Sequence, residues 1–360
     1  MTRVTGKPFR LLLLALAFSL VAAACGGDDD NNGNGTAPTG GEGGEELSGE
    51  IFISGSSTVE LISRLNAELF MEANPGVSID VEGPGTGDGF QKFCSGESDI
   101  SDASRPIDAE EEIPLCEENG VEFVELKVGI DGIAVLTNPD NPVECLDFKD
   151  IYALVGPESE GFETWNDAAE FAEEIGAGHP DDYPDAPLEI TAPGEESGTF
   201  DSFAELVTEG IAVDEREQSE DGPFIRPDYS ASADDNVIIE GISGSEGSFG
   251  WVGYSFFVQN EDRVKAFAIA EEGDDCIEPT EETISSAEYP ISRFLYIYVD
   301  PAKVEENEAL QAYVDFYVSE EGLAAVTDEN VGYVSLADED IESLQQVWED
   351  QETGSRDAEG

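Results

Sequence analysis

Basic residues are scarce in this chain. Its 360 residues hold 15 Lys and Arg against 83 Asp and Glu, a formal net charge of −68 at pH 7. Three of the bases, Arg3, Lys7 and Arg10, fall within residues 1–24, which contain no acid, so the remainder carries 12 bases against 83 acids. A surface of that sign repels nucleic acid and anionic lipid headgroups, and excludes nucleic acid as a partner. It has the character of acid-rich surfaces that work in high salt, where screening relieves the self-repulsion. Histidine is scarcer still, since His179 is the only one. It stands in a polar Gly/Pro/Asp segment, where a solvent-exposed side chain is expected. A secreted hydrolase using Ser56, Ser57 or Ser197 therefore has no well-placed base, and no nucleophile elbow is present. Long apolar runs are absent too. Residues 11–24 make about 14, where roughly 20 are needed to span a bilayer. The five cysteines include no close pair of the kind that binds metal, so no metal and no other cofactor is expected.

What is present begins with an export signal. Arg3, Lys7 and Arg10 form a positive region, residues 11–20 are apolar, and Val21-Ala22-Ala23-Ala24-Cys25 follows. This stretch is similar to the cleavage box of a bacterial lipoprotein, although Ala22 stands where leucine is commonest. The similarity makes residues 1–24 a lipoprotein signal peptide and Cys25 the lipidated first residue, anchoring the chain to the cell membrane on its outer side. Residues 26–46 are rich in Gly, Asp, Asn and Glu without apolar periodicity. Residues 25–48 are thus expected to be a disordered tether. Export permits disulfides among the remaining Cys94, Cys116, Cys145 and Cys276, for which three pairings exist.

The folded part is organised around Ser54-Gly55-Ser56-Ser57-Thr58, which joins a β-type run at 50–53 to a periodic apolar run at 59–71. Ser56 or Ser57 can cap the helix, with Glu60 three residues beyond Ser57 as a capping box requires. A helix start carries unpaired N–H groups at its positive end, and small hydroxyl residues there leave room for an anion. Similar turns recur. Gly83-Pro84-Gly85-Thr86-Gly87-Asp88-Gly89 follows an alternating strand at 77–81. Asp102-Ala103-Ser104-Arg105-Pro106 follows a short strand near 98–101. Glu195-Glu196-Ser197-Gly198-Thr199-Phe200 follows a strand at 189–192. Arg105, one of few bases, sits just beyond a strand end, where open α/β sheets bind ligands.

Strands are expected at 121–126, 130–136 and 291–299, and helices at 148–154, 165–175, 302–319, 320–329 and 338–349. Residues 250–257 form an apolar aromatic stretch with glycines. Strand and helix alternate, which specifies a layered α/β fold. Several Ser/Thr/Gly turns in one chain fit a single site enclosed by helix starts from two lobes.

In these turns, in Gly250-Trp251-Val252-Gly253-Tyr254 and in Tyr289-Pro290-Ile291-Ser292-Arg293, the chain resembles the phosphate-binding lipoproteins of bacterial high-affinity phosphate ABC importers, from about residue 48 to 351. The resemblance implies an α/β, two-lobed periplasmic-binding-protein fold of type II, with a ligand cleft between discontinuous lobes. Lobe 1 would comprise 49–129 and 294–350, lobe 2 would comprise 130–293, and 351–360 would be a flexible tail. Cys94–Cys116 and Cys145–Cys276 then each fall within one lobe and are the favoured pairs. The implied function is not enzymatic. A monomer binds inorganic phosphate by hinge closure and delivers it to the transmembrane permease subunits of an ABC importer.

Carried over residue by residue, the resemblance implies phosphate contacts from Ser57, Thr58, Val59, Thr86, Ser104, Ser197, Gly198 and Thr199. One branch of the family has an arginine four residues before the third-turn serine, where this chain has Pro193. Arg105 is the expected replacement. Asp102, or Glu195, is expected to accept the ligand's proton, a contact that fully ionised sulfate cannot make. A receptor for sulfate or molybdate, or a phosphate-scavenging lipoprotein without a transporter, is the alternative.

Overall fold

A computed structural model describes residues 47–195, 197–219, 222–271, 275–328 and 331–357. The signal peptide, Cys25 and nearly all of the tether lie outside the described residues. In chain order the elements are β1 (Ser48–Gly55), α1 (Ser57–Ala73), β2 (Gly76–Glu82), α2 (Thr86–Cys94), β3 (Ile100–Ala103), α3 (Glu112–Asn119), β4 (Val124–Thr137) and β5 (Cys145–Asp147). There follow α4 (Phe148–Val155), α5 (Trp165–Ile175), β6 (Glu189–Ala192), α6 (Gly198–Phe203), β7 (Ser230–Ala231), α7 (Asp235–Ser243), β8 (Ser248–Gly253) and α8 (Tyr254–Val258). The last are β9 (Lys265–Ala266), β10 (Ala268–Ala270), α9 (Glu281–Ser285), β11 (Ser292–Val299), α10 (Pro301–Glu306), α11 (Glu308–Tyr317), α12 (Glu320–Leu323) and α13 (Asp338–Glu349).

The strands form a two-lobed α/β arrangement in the order β2-β1-β3-β11-β4-β8-β6-β7, with β9 added to β4 and a separate β10-β5 pair. β1 pairs in parallel with β2 and β3, and β6 in parallel with β8 and β7. β4 and β11 are the long antiparallel strands through the middle. β4 pairs with β11 from Val124 to Gly132 and with β8 from Ile133 to Leu136. The register slips at Leu295/Tyr296, opposite Gly129 and Lys127. Such an irregularity bends a strand and raises its twist. β4 is buried along almost its whole length, although it carries Glu125, Lys127 and Asp131. α1 buries Val59, Ile62, Ser63, Asn66, Ala67 and Phe70, the i, i+3, i+4 stripe of a helix seated on a sheet.

The structure departs from the sequence reading in several places. Residues 124–126 and 130–136 belong to one strand, because the run between them continues the pairing with β11, while 121–123 lie outside it. Residues 302–319 divide into α10 and α11, where Asn307 ends the first helix and caps the second. Residues 320–329 shorten to α12 and a 3₁₀ turn. The predicted flexible tail is fastened as far as residue 357. Glu125 accepts hydrogen bonds from Ser355 Oγ, Arg356 N and Asp357 N at 2.6, 2.7 and 3.2 Å, and Lys127 pairs with Asp357. Cys94 is bonded to Cys116 and Cys145 to Cys276.

Candidate functional site

The first turn is built by close approach. A Cβ on Gly55 would lie 2.0 Å from the Asp102 carbonyl oxygen, and one on Gly89 would lie 2.4 Å from the Gly55 Cα. Glycine at both places lets β1, β3 and α2 close up. Ser56 N then donates to Asp102 O at 2.8 Å, and Gly85 N to Gly55 O at 2.9 Å. Ser56 is the cap of α1, accepting from Thr58 N and Val59 N at 3.2 and 3.4 Å. Glu60 forms no capping box with Ser57 and instead pairs with Arg64. The second turn delivers Thr86 to Ser104. Their hydroxyls are 3.0 Å apart, and Ser104 N donates to Thr86 Oγ1 at 3.2 Å. In the third turn Ser197 caps α6 by accepting from Thr199 N at 3.2 Å. A side chain on Gly198 would meet Leu61 and Tyr333 at 3.6 and 3.7 Å, so the start of α6 faces the start of α1.

Between these two helices lies Arg293, on β11. Its Nη2 donates to Thr58 Oγ1 at 3.3 Å and to Ser202 Oγ at 3.1 Å, and those two hydroxyls are 3.1 Å apart. Its Nη1 lies 2.8 Å from Glu205 and its Nε lies 3.6 Å from Asp131. Asp131 and Arg293 face each other across the β4–β11 ladder as register partners. Burial pushes the Asp131 carboxyl up, against the downward pull of the Arg293 charge. Tyr333 closes the floor by donating to Thr58 O at 3.1 Å. The guanidinium is nearly buried, with 10% of its side chain exposed. A cation and two hydroxyls, one from the first turn of α1 and one from within α6, in a desolvated place form a site for a small oxyanion.

The predicted residues divide between this cluster and its surroundings. Thr58 is in it. The Ser197-Gly198-Thr199 turn begins the helix that carries Ser202 and Glu205 into it. Ser57 and Val59 flank Thr58, with the Val59 N–H already given to Ser56. Thr86 and Ser104 form their own buried pair. Arg105 is turned away: its guanidinium grips Glu112 at 2.7 and 2.9 Å, and lies 5.5 Å over the Phe90 ring. Asp102 is fully buried and accepts from Ser63 Oγ at 2.9 Å, beneath α1. Its Oδ2 has no hydrogen-bond partner among the described residues, and burial raises its pKa from 3.8 to about 7. The sequence reading does not single out Asp131, Ser202, Glu205 or Tyr333, and it assigns Arg293 only to the crossover.

Two other places carry charge without being comparable. A groove of about 760 Å³ beside Phe162, Pro187 and Ile190 contains Arg226. That guanidinium is spent on Asp228 at 2.5 and 2.8 Å and on Phe162 O at 3.0 Å. His179 is not simply exposed as expected. Its Nδ1 lies 2.8 Å from Asp150, and Tyr183 Oη donates to the same carboxylate at 2.9 Å. Asp147, Asp150 and His179 are close enough to share a cation. However, Asp147 already accepts from Asp150 N and Gly178 N, and Asp150 from Asp147 N, His179 N and Tyr183. The group is a hydrogen-bonded latch between the start of α4 and the loop after α5.

Comparison with known proteins bears on the family and the fold. The sequence profile of the PBP superfamily domain matches residues 36–321. Protein SphX of Synechocystis is 35% identical over 297 residues, 82% of this chain and 80% of that protein. Phosphate-binding protein PstS of Staphylococcus aureus is 32% identical over 308 residues, 84% of each chain. The crystal structure of a possible phosphate binding protein from Planctomyces limnophilus is 34% identical, with a TM-score of 0.72, covering 84% of this chain and 99% of that one.

Proposed function

The chain belongs to the PBP superfamily, and on that premise we propose that it is a non-catalytic receptor that binds inorganic phosphate outside the cytoplasmic membrane and hands it to the permease of an ABC importer. The observation that carries the reading is Arg293, held with a hydroxyl from the first turn of α1 and one from α6. Phosphate offers several acceptor oxygens and, near neutral pH, at least one proton. Arg293, Thr58 and Ser202 supply donors to the oxygens. Asp131, buried beside them, is the carboxylate for the proton, in place of Asp102, which is committed to Ser63. A fully ionised sulfate has no proton to give and leaves Asp131 as an unpaired repulsive group, a penalty of about 1–3 kcal/mol or more. Closure of the lobes about β4 and β11 would desolvate the anion. Cys25 would tether the receptor to the membrane, and the alternatives with other oxyanions are separated by the same experiment.

That experiment is calorimetric titration at high salt with phosphate, arsenate, sulfate and molybdate. Arg293→Ala is expected to weaken phosphate binding about 100-fold or more, the size of a lost charge-assisted contact in a desolvated place. Arg105→Ala is expected to change it less than about threefold, because its guanidinium is engaged with Glu112. The reverse ranking would return the role to Arg105, and selective binding of another oxyanion would replace phosphate.

A further inference from the structure

We propose that Glu205 is a built-in counter-anion, a carboxylate that competes with the ligand for Arg293 and so sets which anions the site admits. The inference rests on the reading of the Arg293 cluster as an oxyanion site. The three faces of the guanidinium are occupied unequally. Nε is turned to Asp131, whose side chain is 4% exposed and fixed by its place in β4. Nη2 is held by Thr58 and Ser202, both buried. Nη1 alone is held by a side chain with room to leave: Glu205 is 48% exposed, with its carboxylate 2.8 Å away.

The local backbone explains the placement. Residues 204–209 and 211–215 continue α6 as two π-helical stretches. Wide turns of this kind are uncommon and recur at functional sites. Ser202 and Glu205, three residues apart, project to the same side of this helix and flank the guanidinium. Asp201, whose carboxyl is pushed up by burial and then by Glu205 and Glu195, adds negative charge beside them. An oxyanion with several oxygens can take Nη1, Nη2 and the two hydroxyls together. Glu205 offers one carboxylate and, as a half-exposed partner, is bound to Nη1 only weakly.

The contest has a chemical outcome. A tethered carboxylate is present at high effective concentration, so a weakly held monoanion such as chloride cannot displace it. A multidentate oxyanion can. Glu205 therefore lowers phosphate affinity modestly while keeping halide out. The affinity cost also eases release of the ligand to a partner.

The test uses the full chain and its Glu205→Gln and Glu205→Ala variants. Each is titrated with phosphate, arsenate, sulfate and molybdate in low chloride, then in 1–2 M chloride. The supporting result is phosphate binding about five- to tenfold tighter in both variants at low chloride, with that gain largely lost when chloride is raised. The wild type should respond less to chloride than either variant. Thermal unfolding checks that the variants are folded, which the exposure of Glu205 favours. If the wild type binds phosphate and neither variant binds it more tightly, the inference is overturned and the phosphate reading stands. If another oxyanion binds and the variants tighten that one, the inference stands and the phosphate reading falls. Absence of binding to all four overturns both.

Discussion

Asp102 shows how a residue can look functional and carry a different burden. It stands at the end of β3, one strand from Gly55, and its backbone oxygen anchors the first turn. Its carboxyl points inward to Ser63 and has one oxygen without a partner among the described residues, so burial favours the protonated form up to about pH 7. The unfolded chain would ionise it near 4. Between those values the native state holds the extra proton, so stability falls as pH rises from about 4 to 7 and the deficit is then constant. Asp102→Asn keeps the acceptor for Ser63 and removes the charge. Its urea stability, relative to wild type at fixed high salt, is expected to climb across that window and level off near 7, by on the order of 4 kcal/mol at most. A difference that does not change with pH would mean the native carboxyl titrates normally. The same variant should leave phosphate affinity nearly unchanged, which separates Asp102 from Asp131.

At the scale of elements, the C-terminal strap is the clearest departure from a sequence-level reading. Residues 351–357 carry no apolar period, which is why they look like a loose tail. What holds them is a buried acceptor far away in sequence. Glu125 on β4 is 4% exposed and receives Tyr298 Oη, Ser355 Oγ and two backbone N–H groups, and Gly354 bridges to Val124. Truncation after Gly354 strips Glu125 of all these donors except Tyr298. The expected cost is about 2–4 kcal/mol in urea unfolding, with Glu125→Gln in the truncated chain recovering part of it. A truncation that costs nothing would show that water satisfies Glu125 as well as the strap does. The same contrast explains what was legible elsewhere. Strand–turn–helix units announce themselves locally, by alternation, glycine and a capping serine, and so β1–α1, β2–α2 and β6–α6 could be read directly. Arg293 and Asp131 could not, because they meet only through the antiparallel register of β4 and β11, 162 residues apart in number. Ser202 and Glu205 look like ordinary polar positions of a helix until the pairing strand is known. Arg105 drew notice as a rare base beside a strand end, yet Glu112, seven residues on, is near enough to claim it.

For the whole molecule, charge sets how fast a ligand arrives, while local contacts set how long it stays. Among the described residues every base but Arg263 is in an ion pair, so the field at a distance is that of the unpaired acids. With a formal charge of −68, that field opposes an approaching dianion. Its reach shrinks from about 30 Å at 0.01 M salt to about 8 Å at 0.15 M. The contacts of Arg293 with Thr58 and Ser202 are direct and largely removed from water, so salt acts on them much less. The association rate for phosphate should therefore rise with ionic strength, by at least severalfold over that range, the opposite of the trend for a receptor that attracts its anion. Dissociation should change little. Stopped-flow kinetics followed through tryptophan fluorescence, with a salt of weakly competing anion, would measure both rates. The Glu205→Gln variant sharpens the argument, because it removes one charge from dozens. It should leave the salt slope of association almost as in wild type and act mainly on dissociation. A salt-independent association rate would mean that the acids around the cleft are locally balanced, and that the net charge governs solubility alone.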